Sequence, residues 1–260
     1  PLADVHLGRG IRAHAALPPV AATGAAVSIR LPSIETLGFD RLVAGGLCDD
    51  ATARFLRSAV LARNNLLIAG GTATGKTTLL AGLLALAPHG ERIVTIEDLA
   101  ELRIEHPHRI ALEARRPNAE GVGEVSLDRL LAEALRMRPD RLVLGECRGA
   151  EVATMLAALN TGHNGGAATL HASRLEGVPA RLEALGALAG LSPAVLARQA
   201  VTALHLVVHL ERDAGGHRRI AGIGRLRLAG ETLGIEALEL DGRRDRGYRR
   251  ARTMTHRDAR

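Results

Sequence analysis

The chain has 260 residues, a formal net charge of +6, and a composition that is 47% hydrophobic but only 1% aromatic. Such a length holds one large domain, or a main domain with smaller flanks. No apolar run approaches the ~20 residues that span a bilayer, and no signal-peptide pattern opens the chain. Cys48 and Cys147 show no metal-ligand spacing, so we expect a reduced, cytoplasmic setting. Because the chain begins at Pro1 and not Met, we expect it to lack its true N-terminus.

The positive charge is concentrated at the C-terminal end. From Arg243 onward there are eight arginines and two aspartates, so the rest of the chain is close to neutral. The composition of this tail predicts disorder, and the alternative is contact with an anionic membrane surface or nucleic acid. Phe39, Phe55 and Tyr248 are the only aromatic residues. The body therefore has no base-stacking platform, and we expect no specific nucleic-acid partner.

The first 32 residues alternate short apolar runs with Gly and Pro, a texture typical of small β-strands. It predicts strands near residues 5–8, 11–13 and 26–30. We assign residues 1–32 to the C-terminal part of a small α+β N-terminal domain. Two helices should follow, the second beginning near Asp50 as N-cap and ending at Asn64-Asn65.

Residues 33–242 alternate strand and helix patterns, which predicts an α/β core with a parallel sheet and helices on both faces. Residues 243–260 form the separate Arg-rich tail. The predicted strands are 66–69, 93–96, 112–115 (strand or loop), 141–145 and 166–170, with a hairpin at 205–211 and 218–228. The predicted helices are 77–87, 126–136, 151–159 and 193–201.

Lys76, the only lysine of the chain, lies in a glycine-rich segment between a predicted strand and a predicted helix. This segment fits the phosphate-binding pattern G-x-x-x-x-G-K-[ST] at every fixed position. Loop N–H groups and the helix N-terminus favour an anion, and a compact ammonium can reach between β- and γ-phosphates. We therefore predict a nucleoside triphosphate site, with Thr77 Oγ on Mg²⁺ and Thr78 near the α-phosphate. The predicted binding residues are Gly70, Gly71, Thr72, Ala73, Thr74, Gly75, Lys76, Thr77 and Thr78.

Four predicted strands end in a polar functional segment: the loop at Gly70, Glu97-Asp98, Glu146 and His171. Ligand-binding groups of open α/β sheets gather at the carboxyl ends of the strands. ATP hydrolysis needs Mg²⁺ at the phosphates, an aligned water, and positive charge for the transition state. The four strand ends therefore predict a catalytic rim.

These motifs together resemble those of the type II/IV secretion ATPases, and most closely the CpaF-like branch of Tad-pilus and conjugal-transfer-associated ATPases. The resemblance covers about Pro1 to Glu211 and implies a RecA-like P-loop NTPase core. It is carried by Gly70–Thr77 (Walker A), Thr95–Leu102 (Asp box), Arg138–Glu151 (Walker B) and Asn160–Ala172 (His box), with Pro18-Pro19 and Ser28–Arg30 in the N-terminal domain.

The resemblance also implies roles for single residues. Glu97 would position or deprotonate the attacking water, and Glu146 would act on Mg²⁺ through water. His171 would sense the γ-phosphate. Arg30 and Arg115 match family arginines placed to act as fingers at the γ-phosphate. His163 corresponds to an upstream histidine whose role stays open.

Each role has a structural alternative. Glu97 could cap the next turn, Glu146 could pair with Arg148, and His171 could be a packing residue. The arginines could form surface ion pairs. Two positions depart from the family: Arg116 stands where proline is usual, and Ala73 where glycine is frequent. Ala73 should be tolerated if its φ is negative.

By resemblance, the chain is expected to be a Mg-ATP-dependent motor in a homo-hexameric ring at the cytoplasmic face of the membrane. It would act on an inner-membrane platform protein of a secretion or pilus system. Two alternatives remain: a nucleic-acid translocase with the same core, contacting its substrate through the Arg tail, and a nucleotide-gated scaffold with little turnover.

Overall fold

The computed structural model describes residues 1–7, 11–31, 36–117 and 120–240. The predicted disorder of residues 243–260 lies outside these ranges, as does the proposed domain boundary at 32–33. No single helix of the described residues is long and apolar enough to cross a bilayer. One bent pair, Leu175–Leu188 with Pro193–Ala203 at 119°, has the length and composition when both are taken together.

The N-terminal residues form a three-stranded antiparallel sheet in the order β1-β2-β3. The first strand lies nearer the N-terminus than predicted, because Val5 pairs with Ala13 and the ladder continues to Leu2 opposite Ala16. The strands are β1 (Leu2–His6), β2 (Arg12–Ala16) and β3 (Ala26–Arg30).

The core is an eight-stranded sheet in the order β11-β10-β9-β4-β8-β7-β5-β6. The six strands from β9 to β6 pair in parallel, and β10 is antiparallel to both of its neighbours. The expected α/β class is therefore confirmed. The strands are β4 (Leu66–Gly70), β5 (Ile93–Glu97), β6 (Arg109–Glu113), β7 (Arg141–Cys147), β8 (Ala167–His171), β9 (Leu206–Arg212), β10 (Arg218–Ala229) and β11 (Thr232–Ala237).

Helices cover both faces of this sheet. Leu67, Ile96 and Leu144 belong to one buried cluster, while Ile68 and Val143 belong to another, as alternation along buried strands requires. The helices are α1 (Phe39–Ala44), α2 (Asp50–Leu61), α3 (Lys76–Leu84), α4 (Leu127–Arg136), α5 (Glu151–Asn160), α6 (Val178–Leu188) and α7 (Pro193–Ala203), with a 3-10 turn at Leu175–Gly177.

The helix boundaries differ from prediction at α2 and α3. The N-cap of α2 is Asp49, not Asp50, since Asp49 accepts the N–H of Thr52 at 2.7 Å. The helix ends at Leu61, not at Asn64-Asn65, because Arg63 takes a φ of 59°. Helix α3 stops at Leu84, three residues short of the predicted end.

Helix α6 and strand β11 were not predicted. Gly186 reads as a helix breaker in sequence, yet a Cβ there would lie 2.7 Å from a methyl of Leu196. The glycine therefore allows α6 to pack closely on α7. Gly224 on β10 likewise allows β11 to pack closely, since a Cβ added at Gly224 would lie 3.0 Å from Ile235.

The Asn65 side chain connects the beginnings of three parallel strands, at the edge of the sheet opposite to their carboxyl ends. Its Oδ1 accepts the N–H groups of Gly165 and Gly166 at 2.8 and 2.9 Å, and its Nδ2 donates to the carbonyl of Ala203 at 2.7 Å. These bonds join the segments that lead into β4, β8 and β9. With the starts fixed, Gly70 at the end of β4 lies opposite His171 at the end of β8.

Candidate active site at the carboxyl ends of the parallel strands

One cavity of about 460 Å³ lies between the carboxyl ends of the parallel strands and the N-terminal sheet. It brings together most of the residues selected from sequence. Those lining it are Arg30, Thr72, Ala73, Thr74, Gly75, Lys76, Thr77, Thr78, Glu97, Glu146 and His171.

The phosphate-binding pattern folds as a tight connection from β4 to α3. Gly75 is the N-cap of α3 with a φ of 93°, a conformation that favours glycine. Gly70 must be glycine because a Cβ there would lie 2.7 Å from the carbonyl oxygen of Leu210. The ammonium of Lys76 donates to the carbonyl oxygens of Gly70 and Gly71 at 3.0 and 2.8 Å. Burial lowers the pKa of Lys76, while Glu146 opposes that shift.

Ala73 takes a φ of 59°, contrary to the condition of a negative φ set by the sequence analysis. A left-handed residue with a side chain is strained. We expect Ala73→Gly to raise the free energy of unfolding by about 0.5–1 kcal/mol, after subtraction of the entropy that Gly adds to the unfolded chain. Urea unfolding measures this.

The matched control for that substitution is Ala62→Gly. Ala62 is also exposed, but its φ is −82°. The same change there should destabilise the protein, because the unfolded chain gains entropy and no strain is relieved. Destabilisation by Ala73→Gly of the same size would contradict a strained loop.

Glu97 lies at the end of β5 and is only 5% exposed. Its Oε1 accepts the N–H groups of Glu101 and Leu102 at 3.2 and 3.0 Å, so it does cap the following turn. It also lines the cavity. Burial raises the pKa of Glu97 to about 7, and the two backbone hydrogen bonds limit the rise. A carboxylate with this pKa can accept a proton near neutral pH.

Gly145 is a positioning residue that the sequence analysis did not select. A Cβ at this position would lie 2.5 Å from Cγ of Glu97. Glycine on β7 therefore makes room for the Glu97 side chain on the neighbouring strand β5. The sequence signal was a glycine inside a buried strand, which often marks a close approach.

Glu146 contacts Arg148 and His171. Its Oε2 accepts from Nε of Arg148 at 2.7 Å, so the salt-bridge alternative is present in the structure. Its Oε1 lies 2.8 Å from Nε2 of His171. That oxygen is buried, and within the described residues it has no hydrogen bond of good geometry.

The oxygen donors of the cavity fit Mg²⁺. The underused Oε1 of Glu146 and the hydroxyl of Thr77 line the same space. No group of three or more His, Cys, Asp and Glu side chains that could hold a metal occurs among the described residues. One carboxylate and a hydroxyl suit Mg²⁺, which keeps waters and is otherwise bound by substrate phosphates.

His171 ends β8 beside this carboxylate. Burial lowers the pKa of His171 and nearby Lys76 lowers it further, so the neutral imidazole is favoured at neutral pH although Glu146 opposes the shift. His163 lies elsewhere: its Nδ1 is 3.2 Å from the carbonyl oxygen of Ala158, and it does not line the cavity.

The two arginines proposed as fingers, Arg30 and Arg115, lie in different places. Arg30 lines the cavity and donates to Glu101 at 2.9 Å. Arg115 is not among the lining residues; its guanidinium lies close to Gly123. The neighbouring Arg116, which stands in place of the usual proline, does line the cavity and donates to Asp4 at 2.6 Å.

Cations outnumber acids around the cavity. Its charged lining comprises Arg12, Arg30, Lys76, Arg103, Arg116, Arg148 and Arg218 with Glu97, Asp98, Glu101 and Glu146. Such an excess favours a polyanionic ligand.

Comparison with known proteins identifies the family of this chain. The sequence pattern of the family described as "Type II/IV secretion system protein" matches residues 5–241. The chain belongs to this family. A Mycobacterium tuberculosis protein provisionally named for conjugal transfer is 51% identical over 222 residues, covering 85% of this chain. The conjugal transfer protein TrbB of Rhizobium radiobacter is 34% identical over 212 residues, covering 80% of this chain. The matches span only 63% and 62% of those relatives' lengths.

Solved structures agree on the fold. The VirB11 ATPase of the Brucella suis type IV secretion system has a TM-score of 0.57 at 25% identity, covering 86% of this chain and 76% of that one. The pilus retraction motor PilT, solved with ADP, has a TM-score of 0.58 at 23% identity, covering 91% and 63%. The expected RecA-like core with an N-terminal domain is confirmed. Nothing in these matches separates the CpaF-like branch from the rest of the family.

Proposed function

We propose that this chain is the motor region of a secretion or conjugal-transfer ATPase that binds and hydrolyses Mg-ATP. The observation that carries the proposal is the convergence of Lys76, Glu97, Glu146 and His171 on one cation-rich cavity. Family membership supports it, as do relatives named for conjugal transfer and for type IV secretion.

Each residue of the cavity would have a role in hydrolysis that follows from its position. N–H groups of the loop and the ammonium of Lys76 would bind the β- and γ-phosphates. To do so, the ammonium would give up its hydrogen bonds to the carbonyl oxygens of Gly70 and Gly71. Glu97, with its pKa near 7, would orient a water and accept its proton. His171, close to Glu146, would contact the γ-phosphate as a neutral donor. Mg²⁺, held by Thr77 and through water by Glu146, would neutralise charge on the phosphate oxygens.

Coupling to motion would pass through the N-terminal sheet, which supplies Arg12 and Arg30 to the cavity wall. A γ-phosphate would compete with Glu101 for Arg30 and so draw the sheet towards the loop. In a homo-hexameric ring at the cytoplasmic face of the membrane, this closure would act on an inner-membrane platform protein. The Tad-pilus assignment and the finger roles for Arg30 and Arg115 belong to the proposal.

Binding of Mg-ATP by the wild-type chain and by Lys76→Ala tests the proposal directly. Titration calorimetry should show binding to the wild type and none measurable for Lys76→Ala at the same concentrations. Circular dichroism of both proteins controls for folding. Equal affinity in the two proteins would remove Lys76 from the site. Tight binding without turnover would favour the scaffold, and DNA-stimulated turnover that salt suppresses would favour the translocase.

A further inference from the structure

A second cavity adjoins the first on the outer side of the phosphate-binding loop. Its volume is about 310 Å³, and its lining includes four leucines: Leu37, Leu42, Leu47 and Leu79. Five residues line both cavities: Leu37, Thr74, Gly75, Thr78 and Arg218. These residues mark the passage between a cation-rich chamber and a more apolar one, and Arg218 is the charged residue among them.

Two cations of the first cavity, Arg103 and Arg218, have no ion pair or side-chain hydrogen bond within the described ranges, and of these two Arg218 alone also lines the second cavity. Arg12, Arg30, Arg116 and Arg148 each contact a carboxylate, and Lys76 donates to two carbonyls. Within the described ranges, Arg218 has neither an ion pair nor a side-chain hydrogen bond. Its guanidinium is thus available to an anionic ligand.

The position of Arg218 is nevertheless fixed. A Cβ on Gly75 would lie 3.1 Å from Cδ of Arg218, so the side-chain stem lies against the N-cap of α3. The next residue, Arg219, pairs with Glu211 across the hairpin. Alternation along β10 then directs Arg218 to the opposite face, and the turn is closed by the N–H of His217 donating to Asp213 at 2.9 Å.

The local electrostatics also favour an anion at this point. Arg218 lies directly opposite Arg212 in the β9–β10 ladder, and Arg212 lines the second cavity. Like charges in directly opposed positions are destabilising. Among the described residues that line the second cavity there is no Asp or Glu to compensate. An anionic group held between the cavities would relieve that repulsion.

We propose that Arg218 binds the α-phosphate of the nucleotide, with the nucleoside in the 310 Å³ cavity. The inference rests on the proposed nucleotide binding. A triphosphate in the first cavity is joined to its nucleoside through the α-phosphate, which is therefore the group at the passage. Arg218 is a binding residue that holds ATP and ADP equally, unlike a finger that contacts only the γ-phosphate.

The test is the dissociation constants of Mg-ADP and Mg-ATP for the wild type, Arg218→Gln and Arg219→Gln. Loss of one charge-assisted contact should weaken both nucleotides by about tenfold in Arg218→Gln. Arg219→Gln, the same change at the neighbouring residue paired with Glu211, should stay within about twofold of wild type. Turnover should show a raised KM with kcat little changed.

Other results would overturn the assignment. An unchanged ADP affinity in Arg218→Gln would remove Arg218 from the site, and weakening confined to ATP would move it to the γ-phosphate. If Arg218→Gln does not fold, Arg218→Lys is the alternative variant, since it keeps the charge without the guanidinium plane. Its ADP affinity should be weaker than that of the wild type by no more than about tenfold. A wild type that binds neither nucleotide would refute the proposed function itself.

Discussion

Glu97→Gln is expected to reduce ATP hydrolysis by at least about 100-fold while nucleotide binding persists, because Gln cannot accept the proton of the attacking water. The Gln side chain can still accept the N–H groups of Glu101 and Leu102, so the turn that Glu97 caps should remain. ATP should then accumulate on a closed state. Single-turnover hydrolysis and equilibrium binding of ATP together measure the effect.

Glu113→Gln is the matched control for this substitution. Glu113 lies opposite Glu97 on the adjacent strand β6 and does not line the cavity. Its loss should leave hydrolysis within about twofold of wild type. Normal hydrolysis by Glu97→Gln would mean that Glu97 serves only as a cap.

The pH dependence of the free energy of unfolding of Glu97→Gln shows whether its fold is intact. The raised pKa of Glu97, about 7 against 4.5 for the free group, means that the folded state holds this proton more tightly than the unfolded state. The stability contributed by protonated Glu97 is complete below pH 4.5 and is lost as the pH rises to about 7. We therefore compare the free energy of unfolding of Glu97→Gln with that of the wild type at two pH values. The difference, variant minus wild type, should be larger at pH 8 than at pH 5 by a few kcal/mol. Urea unfolding at both pH values measures the difference.

Gly145→Ala is expected to reduce hydrolysis about 100-fold, since a displacement of a catalytic group by 1 Å has that effect. The added methyl would meet Cγ of Glu97 at 2.5 Å, so either the Glu97 side chain must move or one of the two strands must shift. The three atoms nearest to this methyl all belong to Glu97, so ATP binding should weaken much less than turnover. Steady-state kinetics with an independent affinity measurement separate the two.

Two comparisons show whether Gly145→Ala acts through Glu97. Gly90→Ala adds a methyl where nothing lies within 4 Å, and it should leave the rate unchanged. The double variant of Gly145→Ala and Glu97→Gln should be no slower than Glu97→Gln alone, because both changes remove the same function. Multiplicative losses would indicate a separate role for Gly145.

The central strands could be predicted because they carry their own signal. The segments ending at Gly70, Glu97, Glu146 and His171 are short apolar runs bounded by polar residues, and the sheet buries them on both faces. Helix α6 could not be predicted, because Gly186 acts as a packing surface for Leu196, a role that depends on the tertiary structure. The α2 cap was misplaced by one residue because Asp49 and Asp50 are adjacent candidates.

The residues of the candidate site also include some that could be predicted from the sequence and some that could not. Residues in fixed spacing with the loop or at strand ends were selected, since the topology places all strand ends at one edge. Gly145, Arg103 and Arg218 were missed because their relevance depends on contacts between distant segments. Ala73 was expected to be tolerated if its φ is negative, and its φ of 59° shows that the loop imposes the conformation that glycine would supply.

The most direct test of the account is steady-state ATP hydrolysis over a wide range of protein concentration, for the wild type and Lys76→Ala. We predict turnover by the wild type whose specific rate rises with concentration, as expected when neighbouring subunits complete each site, and no turnover by Lys76→Ala. Equal background rates in both proteins at every concentration would contradict the assignment of this chain as an ATP-hydrolysing motor.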